Sequence, residues 1–289
     1  MQTKFILPCL LSTLFFLNSF SPSAQNRKTI ETTTDILMFI TPVAGFAGSL
    51  AIGDYQGTKQ IIFSGAMNMA ILLPGGAGYI GSHTAVELLN AGKEIVIIDN
   101  FSNSKPEVLD KIKQITGKDF KFYEMDYSNK EELNKVFTEN KIDAVLNFAG
   151  YKAVGESVKK PIEYYMNNIS GALVLLDVMR AHNCKKFIFS SSATVYGDPA
   201  TVPITEEFPT GGTTNPYGTT KLFIEQILKD IYNSDNSWDI CILRYFNPVG
   251  AHESGLIGEE PQGIPNNLMP YVARVAAKIL RFKDENGDS

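Results

Sequence analysis

Short apolar runs alternate with longer amphipathic stretches from residue 69 onward. The apolar runs are continuous, and they predict strands at residues 69–73, 94–99, 120–125, 144–149, 186–191 and 240–245. The amphipathic stretches predict a helix that begins near residue 80 and further helices at residues 106–116, 130–138, 161–182 and 216–232. Because strands buried on both faces are apolar at nearly every position, this alternation predicts an α/β fold with a doubly wound parallel sheet.

The first 68 residues depart from this pattern. Residues 1–24 contain one positive charge at Lys4, an apolar run and small residues ending at Ala24, which is the pattern of a secretory signal peptide. An apolar leader read from a misplaced start codon is the alternative. A second uncharged stretch, residues 36–52, would reach about 25 Å as a helix, less than a ~30 Å hydrocarbon core. Residues 25–68 are therefore unassigned and can be foreign to the fold.

Composition excludes several classes of protein. The 289 residues are 44% hydrophobic and 20% charged, which allows a large folded core. A formal net charge of −5 without a cluster of Lys or Arg argues against nucleic-acid binding. Three cysteines without a CxxC pair and three scattered histidines argue against a disulfide framework and a metal site.

A glycine loop follows the first predicted strand. Gly75, Gly78 and Gly81 have the spacing GxxGxxG between a strand and a helix, where glycine allows a tight turn and a close approach to a pyrophosphate. Asp99 ends the second strand, where a carboxylate can accept hydrogen bonds from an adenosine ribose and would repel a 2′-phosphate. The loop therefore predicts a Rossmann-like domain that binds NAD rather than NADP. Pro74 has no N–H, so a sheet hydrogen bond is expected to be missing there.

A second pattern, YxxxK, places Tyr217 and Lys221 on one helix face. A nearby ammonium group, with an oxidised nicotinamide, would lower the pKa of the tyrosine towards neutrality. Residues 190–192 are three serines at the carboxyl end of a strand, where ligands of parallel sheets bind. Together these side chains predict a set of proton-transfer groups, whereas a chance Tyr-Lys pair on a solvated helix is the alternative. The acidic pair Glu259-Glu260 is interpreted as solvated loop charge.

Six longer segments are distinctive as a set. They are GGAGYIGSHT at 75–84, FAG at 148–150, KAVGES at 152–157, SSSATVYG at 190–197, LRYFNPVGAH at 243–252 and PQGIPNNLMP at 261–270. From Met69 to about Lys278 the chain resembles the UDP-glucose 4-epimerase family of extended short-chain dehydrogenases/reductases. Two positions differ from that family: Pro74 stands where threonine is usual, and Asn147 where histidine is frequent.

The resemblance implies NAD-dependent epimerisation at C4 of UDP-glucose and UDP-galactose through a 4-keto sugar. Tyr217 would be the base, Lys221 its electrostatic partner and Ser192 the hydroxyl that orients the substrate. The substrate-binding residues would be Ser192, Asn247 and Asn267. The resemblance also implies a cytoplasmic enzyme of galactose metabolism that is a homodimer when complete, whereas the predicted leader argues for export.

The resemblance further implies a set of cofactor-binding residues spread over the loops that follow the strands. These residues are Gly75, Gly78, Tyr79, Ile80, Gly81, Asp99, Asn100, Phe101, Ser102, Asn103, Ser104, Asp126, Tyr127, Phe148, Ala149, Gly150, Tyr151, Lys152, Asn167, Tyr217, Lys221 and Phe246.

Family members continue beyond the last of these segments into a smaller substrate-binding domain, most of which we expect to be missing here. The predicted organisation is a leader at 1–24, an unassigned segment at 25–68, an NAD-binding Rossmann domain at 69–251 and the start of a truncated substrate domain at 252–289. Three hypotheses remain: an epimerase, a sugar-nucleotide 4,6-dehydratase and a non-catalytic NAD-binding fragment. Ala193 and Thr194 stand where such dehydratases carry acidic residues, which disfavours dehydration.

Overall fold

The computed structural model describes residues 70–260 and 268–276 with their side chains, and the backbone of residues 31–36. The strands are β1 (Glu31–Ile36), β2 (Ala70–Pro74), β3 (Glu94–Asp99), β4 (Lys121–Glu124), β5 (Ile142–Asn147), β6 (Lys186–Ser192) and β7 (Asp239–Tyr245). The helices are α1 (Tyr79–Asn90), α2 (Glu107–Thr116), α3 (Lys130–Glu139), α4 (Val154–Lys159), α5 (Pro161–Tyr165), α6 (Gly171–Ala181), α7 (Pro216–Ser234) and α8 (Leu268–Ala276), with a π turn at Met166–Ser170 and a 3₁₀ turn at Ala193–Tyr196.

All seven strands are parallel, in the order β1-β7-β6-β5-β2-β3-β4. From β2 the chain moves outward through β3 and β4, then returns to the other side of β2 and continues through β5, β6 and β7. This confirms the predicted doubly wound sheet. The order reverses between β2 and β5, so the loops after these two strands diverge at the carboxyl edge and open the cleft where such folds bind ligands.

Two apolar layers cover the sheet. Leu72 and Phe187 pack in the layer on one face, while Ile71, Leu73 and Ile97 pack in the layer on the other. Neighbouring residues of one strand thus enter different layers, because side chains of a strand alternate between faces. This explains why the strands are apolar without alternation.

One of the two edge strands of the sheet, β1, comes from the segment that the sequence leaves unassigned. β1 lies within residues 25–68 and pairs in parallel with β7. The predicted leader at residues 1–24 and most of the segment at 25–68 lie outside the described residues. Among the residues that the structure describes, no helix has the length and apolarity needed to span a bilayer.

Two differences from the sequence prediction bear on the cleft. The helix predicted at 161–182 is divided into α5 and α6 by the π turn. β5 ends at Asn147 instead of residue 149, since the backbone N–H of Ala149 donates to Asn147 Oδ1 at 3.1 Å. Both irregularities lie at the carboxyl edge of the sheet, where they shape the cleft.

Pro74 occupies the last position of β2. Its carbonyl accepts from Phe148 N at 2.9 Å, while Gly75 N donates to Ile98 O at 2.9 Å. In a parallel sheet the N–H and C=O of one residue point to the same neighbouring strand. Pro74 therefore faces β5 and lacks the donor that another residue would direct there, as the sequence predicts.

Candidate dinucleotide and catalytic site

The glycine loop connects β2 to α1 and packs against the loop after β5. Gly75 has φ +73°, and a Cβ on it would lie 2.7 Å from Ala149 N. A Cβ on Gly81 would lie 2.4 Å from Gly75 O. Both glycines are therefore required by the turn and by the packing of α1 against it.

Gly78 has a different environment. A Cβ on this residue would meet Gly75 O at 3.2 Å and no further non-neighbouring atom of the described residues within 4 Å. α1 begins after Gly78 without a side-chain cap and without an acidic residue in its first turn. Its first N–H groups and the positive end of its dipole therefore face a site suited to a phosphate group.

Asp99 joins the glycine loop to the loop that follows β3. Its Oδ2 accepts from Ala77 N at 3.0 Å, and its Oδ1 accepts from Phe101 N at 2.9 Å and Ser104 Oγ at 2.8 Å. An ionised carboxylate has about four acceptor positions, so one remains for a ligand hydroxyl. Asp99 thus holds the glycine loop in place while keeping a negative charge where the sequence predicts the ribose.

Several predicted cofactor residues line one cleft. They are Gly78, Tyr79, Asn103, Ser104 and Lys152. Residues 250–260 lie across this cleft, because Tyr79 Oη donates to Gly250 O at 2.9 Å and Lys152 Nζ pairs with Glu259 Oε1 at 3.4 Å. The interpretation of Glu259 as a solvated charge is wrong, since its side chain is 8% exposed. Glu260, which pairs with Lys105 at 2.6 Å, is exposed as expected.

Three of the predicted cofactor residues differ in burial: Asn100 and Asp126 are not buried, whereas Tyr127 is. Asn100 Nδ2 donates to Asp126 Oδ2 at 3.1 Å on the surface next to the cleft. Tyr127 instead enters the core, and its hydroxyl donates to Asn167 O at 2.6 Å. Tyr127 therefore supports the backbone of Asn167 in this structure.

A buried asparagine that sequence reasoning missed organises the loop after β5. Asn168 Oδ1 accepts from Tyr151 N at 2.8 Å and from Asn167 Nδ2 at 2.9 Å. Its Nδ2 donates to Tyr151 O and to Thr220 Oγ1, both at 3.0 Å. The π turn places Asn168 at this position, and π turns frequently mark functional sites. Asn168 thereby attaches the loop of Phe148–Lys152 to the helix that carries Tyr217 and Lys221.

The predicted catalytic side chains meet at the carboxyl end of β6. Ser192 ends this strand, and Tyr217 lies in the first turn of α7, where the neighbouring Ser192 hydroxyl acts to lower its pKa. Lys221 is buried one turn later and donates to Ser190 O at 2.7 Å. Its Nζ lies 5.8 Å from the centre of the Tyr217 ring. The structure therefore brings together all three residues.

Burial shifts the pKa values of Tyr217 and Lys221 in opposite directions. Burial raises the pKa of Tyr217, and the Ser192 hydroxyl offsets part of that rise. Burial lowers the pKa of Lys221 to about 8, although the charge of Glu225 acts in the opposite direction. The predicted lowering of the Tyr217 pKa depends on an oxidised nicotinamide as well as on Lys221, so it stays a prediction for the complex with NAD.

A buried ion pair connects the helix of Tyr217 and Lys221 to the strands beneath it. Arg244 donates to Glu225 in a two-point arrangement, Nε to Oε1 at 3.0 Å and Nη2 to Oε2 at 2.8 Å. Ser191 Oγ also donates to Glu225, at 2.6 Å, and Arg244 donates to Tyr196 Oη at 2.8 Å. The pair thus connects β6, β7, the 3₁₀ turn and α7. Sequence reasoning missed it, although an arginine within the apolar strand at 240–245 is a signal.

The predicted substrate residues are described in part. Asn247 is exposed after β7, next to the partly buried Phe246, and Asn267 lies outside the described residues. Within the described part of the chain, no cluster of His, Cys, Asp and Glu is arranged to hold a metal ion.

Comparison with known proteins gives consistent matches. Residues 71–286 match the NAD dependent epimerase/dehydratase family. The UDP-glucose 4-epimerase of Haemophilus influenzae is 62% identical over 208 residues, which are 72% of this chain and 62% of that protein. The enzyme of the same name from Bacillus subtilis is 62% identical over 212 residues, 73% of this chain and 62% of that protein.

Solved structures agree. The UDP-glucose 4-epimerase of Bifidobacterium longum in complex with NAD+ and UDP has a TM-score of 0.73 and 61% identity, covering 74% of this chain and 64% of that one. The enzyme from Stenotrophomonas maltophila, with bound NAD and formylated UDP-arabinopyranose, has a TM-score of 0.72 and 47% identity, covering 74% and 63%. The chain thus spans somewhat less than two thirds of the length of these relatives.

Proposed function

Because the chain belongs to the NAD dependent epimerase/dehydratase family, we propose that it binds NAD and interconverts UDP-glucose and UDP-galactose through a 4-keto sugar. The observation that carries this proposal is the placement of Ser192, Tyr217 and Lys221 near one another at the carboxyl end of β6. The glycine loop lies at the same edge of the sheet.

The cleft residues fit a dinucleotide. The uncapped start of α1 suits the pyrophosphate, and Asp99 has an acceptor position for a ribose hydroxyl. The carboxylate of Asp99 also disfavours a 2′-phosphate, which supports NAD over NADP. Bound NAD would supply a hydride acceptor for the sugar C4 and, once reduced, a hydride donor for the other face of the 4-keto sugar.

The side chains of the chain handle the proton. In its ionised form, which the positive charges of Lys221 and of oxidised NAD would favour, Tyr217 takes the proton of the C4 hydroxyl as the C4–H bond breaks. It returns the proton when that bond forms again. The Ser192 hydroxyl acts to lower the pKa of Tyr217 and so favours its ionised form. The Lys221 amino group donates to Ser190 O, which keeps it close to Ser192 and Tyr217.

The test measures UDP-galactose turnover and NAD content together on the purified 289-residue chain. We expect bound NAD, and slower turnover than in relatives of full length, since part of their length is not spanned here. NAD binding with no turnover would favour the non-catalytic fragment, and absence of both would refute the proposal. Formation of a 4-keto-6-deoxy sugar would instead favour a dehydratase.

We also propose that two copies of the chain associate. Ile162 of α5, Met166 of the π turn and Phe223 of α7 are 73%, 62% and 48% exposed. The rings of Tyr165 and Phe223 lie 6.4 Å apart, so these elements form one apolar surface. Sedimentation should show a dimer that Ile162→Lys weakens. Val202→Lys is the control, because Val202 is exposed on a different segment, and equal masses for both variants would refute this interface.

For location we propose the cytoplasm, supported by the likeness to enzymes that use NAD and UDP-sugars. The predicted leader gives the opposite expectation. Fusion of residues 1–68 to a reporter that is active only after export separates the two: an inactive reporter supports the cytoplasm, and an active one refutes it.

A further inference from the structure

Residues 250–260 form a short hairpin, here called the strap, that follows β7 and lies across the cleft. Ala251 and Gly258 form an antiparallel bridge, and His252 N donates to Ile257 O at 2.9 Å. A Cβ on Gly258 would lie 3.1 Å from Ala251 Cβ, so the two arms of the hairpin pack closely. The strap thus has contacts of its own, and it can detach from the domain without losing them.

One apolar side chain anchors the strap to the domain. Within residues 251–260, all of which the structure describes, Ile257 is the one buried residue, with 4% of its surface exposed. It packs in the apolar layer that also contains Leu73 and Ile97. Because this burial depends on the closed position of the strap, opening the strap would expose Ile257 to water.

Two ion pairs attach the strap to opposite sides of the cleft. Lys105, in the loop after β3, pairs with Glu260 at 2.6 Å. Lys152, in the loop after β5, pairs with Glu259 at 3.4 Å. Since β3 and β5 are the two neighbours of β2 in the sheet, the strap connects the loops on both sides of the glycine loop.

The strap and the predicted cofactor residues line the same cleft. Gly78 and Ser104 line it together with Ile257 and Glu259 of the strap. The start of α1, which suits a phosphate group, opens into this cleft. A phosphate held at the start of α1 would therefore lie in a cleft that the strap covers.

The charge of the strap does not favour phosphate. Glu259 and Glu260 are acidic residues next to a site suited to an anion, which their charge repels. Glu260 is ionised, because its pKa is lowered by the hydrogen bond and charge of Lys105 and by the charges of Lys111 and Arg274. The two carboxylates thus oppose phosphate binding by charge, whereas their ion pairs hold the strap in place.

We propose that the strap retains bound NAD: Ile257 and Glu260 are positioning residues that keep the strap closed, and opening of the strap limits the rate at which NAD leaves. This inference rests on the proposed binding of NAD. Neither residue is among the predicted cofactor-binding residues, so substituting them tests the strap while the glycine loop stays unchanged.

The test measures the rate at which radiolabelled NAD leaves the full chain when unlabelled NAD is added in excess. Ile257→Ala should raise this rate at least about tenfold, since the buried anchor is truncated. Glu260→Gln should raise it about twofold to fivefold, the range expected when an exposed ion pair is lost. Charge alone predicts the opposite sign for Glu260→Gln, because removing a carboxylate near a phosphate would slow the release of NAD.

Leu88→Ala is the matched control. Leu88 is also 4% exposed and packs in the same apolar layer as Ile257, but it lies in the last turn of α1, at the other end from the cleft. Leu88→Ala should lower the melting temperature by creating a cavity. The release of NAD should stay close to the rate of the unsubstituted chain.

An unchanged or slower release in either strap variant would overturn the proposal, and so would an equal acceleration in Leu88→Ala. Ile257→Val, with a smaller acceleration expected in the same direction, replaces the alanine variant if that variant does not fold. A chain that binds no NAD would refute the proposed function and this inference together. NAD that is bound but leaves every variant at one rate would overturn this inference alone.

Discussion

Removing one charge of the buried Glu225–Arg244 pair should strongly destabilise the domain. Glu225 has no exposed surface and Arg244 is 4% exposed. In Glu225→Gln the guanidinium keeps its charge but loses the compensating carboxylate. Breaking such a pair costs about 3–5 kcal/mol, since a buried charge is left uncompensated. At about 2–4 °C per kcal/mol for a domain of this size, the melting temperature should fall by roughly 6–20 °C.

Two further variants isolate the cause. Asp119→Asn breaks the exposed Lys113–Asp119 pair, which has the shorter distance of 2.6 Å, and should cost less than about 1 kcal/mol. Replacing both buried charges, in Glu225→Leu with Arg244→Met, should recover at least half of the loss. Recovery would be incomplete because Ser191 and Tyr196 lose their partners.

Urea unfolding at fixed pH and salt measures these differences. The reasoning is refuted if Glu225→Gln costs no more than Asp119→Asn. The losses in free energy of unfolding of Glu225→Leu and Arg244→Met, measured separately, are also added and compared with the loss of the double variant. If the double variant loses as much as that sum, the reasoning is refuted, because the two side chains would then contribute through packing alone.

Three further predictions concern the cleft and the sheet. Asp99→Ala should weaken NAD binding and reduce the preference for NAD over NADP, because the carboxylate holds the glycine loop and repels a 2′-phosphate. Titration with both dinucleotides checks this prediction, and two unchanged affinities would contradict it. Pro74→Thr should raise the melting temperature, since a donor towards β5 is regained, and an equal or lower midpoint in calorimetry would show that the backbone already accommodates proline. Lys221 has a folded pKa of about 8, below its unfolded value, so its unfavourable contribution to stability should diminish as pH rises from about 8 to 10. The unfolding free energy of the unsubstituted chain should therefore rise relative to Lys221→Met by up to about 3 kcal/mol over the whole titration, and a constant difference would speak against the lowered pKa.

The sheet and the glycine loop could be predicted because their signals are local. Continuous apolar strands and the GxxGxxG spacing each specify a structure within a few residues. The buried hydrogen bonds of Asn168 could not, since they depend on a π turn that no periodicity indicates and on a partner, Thr220, 52 positions away. For the same reason the burial of Tyr127 was not foreseen: the resemblance implied that it binds the cofactor, whereas its hydroxyl donates to a backbone carbonyl 40 residues further along the chain. Spacing predicted Tyr217 as the base, but the raised pKa of its hydroxyl follows from burial, which a sequence does not display.

The most direct test compares the 289-residue chain with Tyr217→Phe. The measurement is the reduction of bound NAD on addition of UDP-galactose, with the NAD content of each protein determined beforehand. We predict slow but measurable reduction in the unsubstituted chain, and none in Tyr217→Phe at equal NAD content. Equal rates in the two proteins would remove Tyr217 from the mechanism and contradict the account.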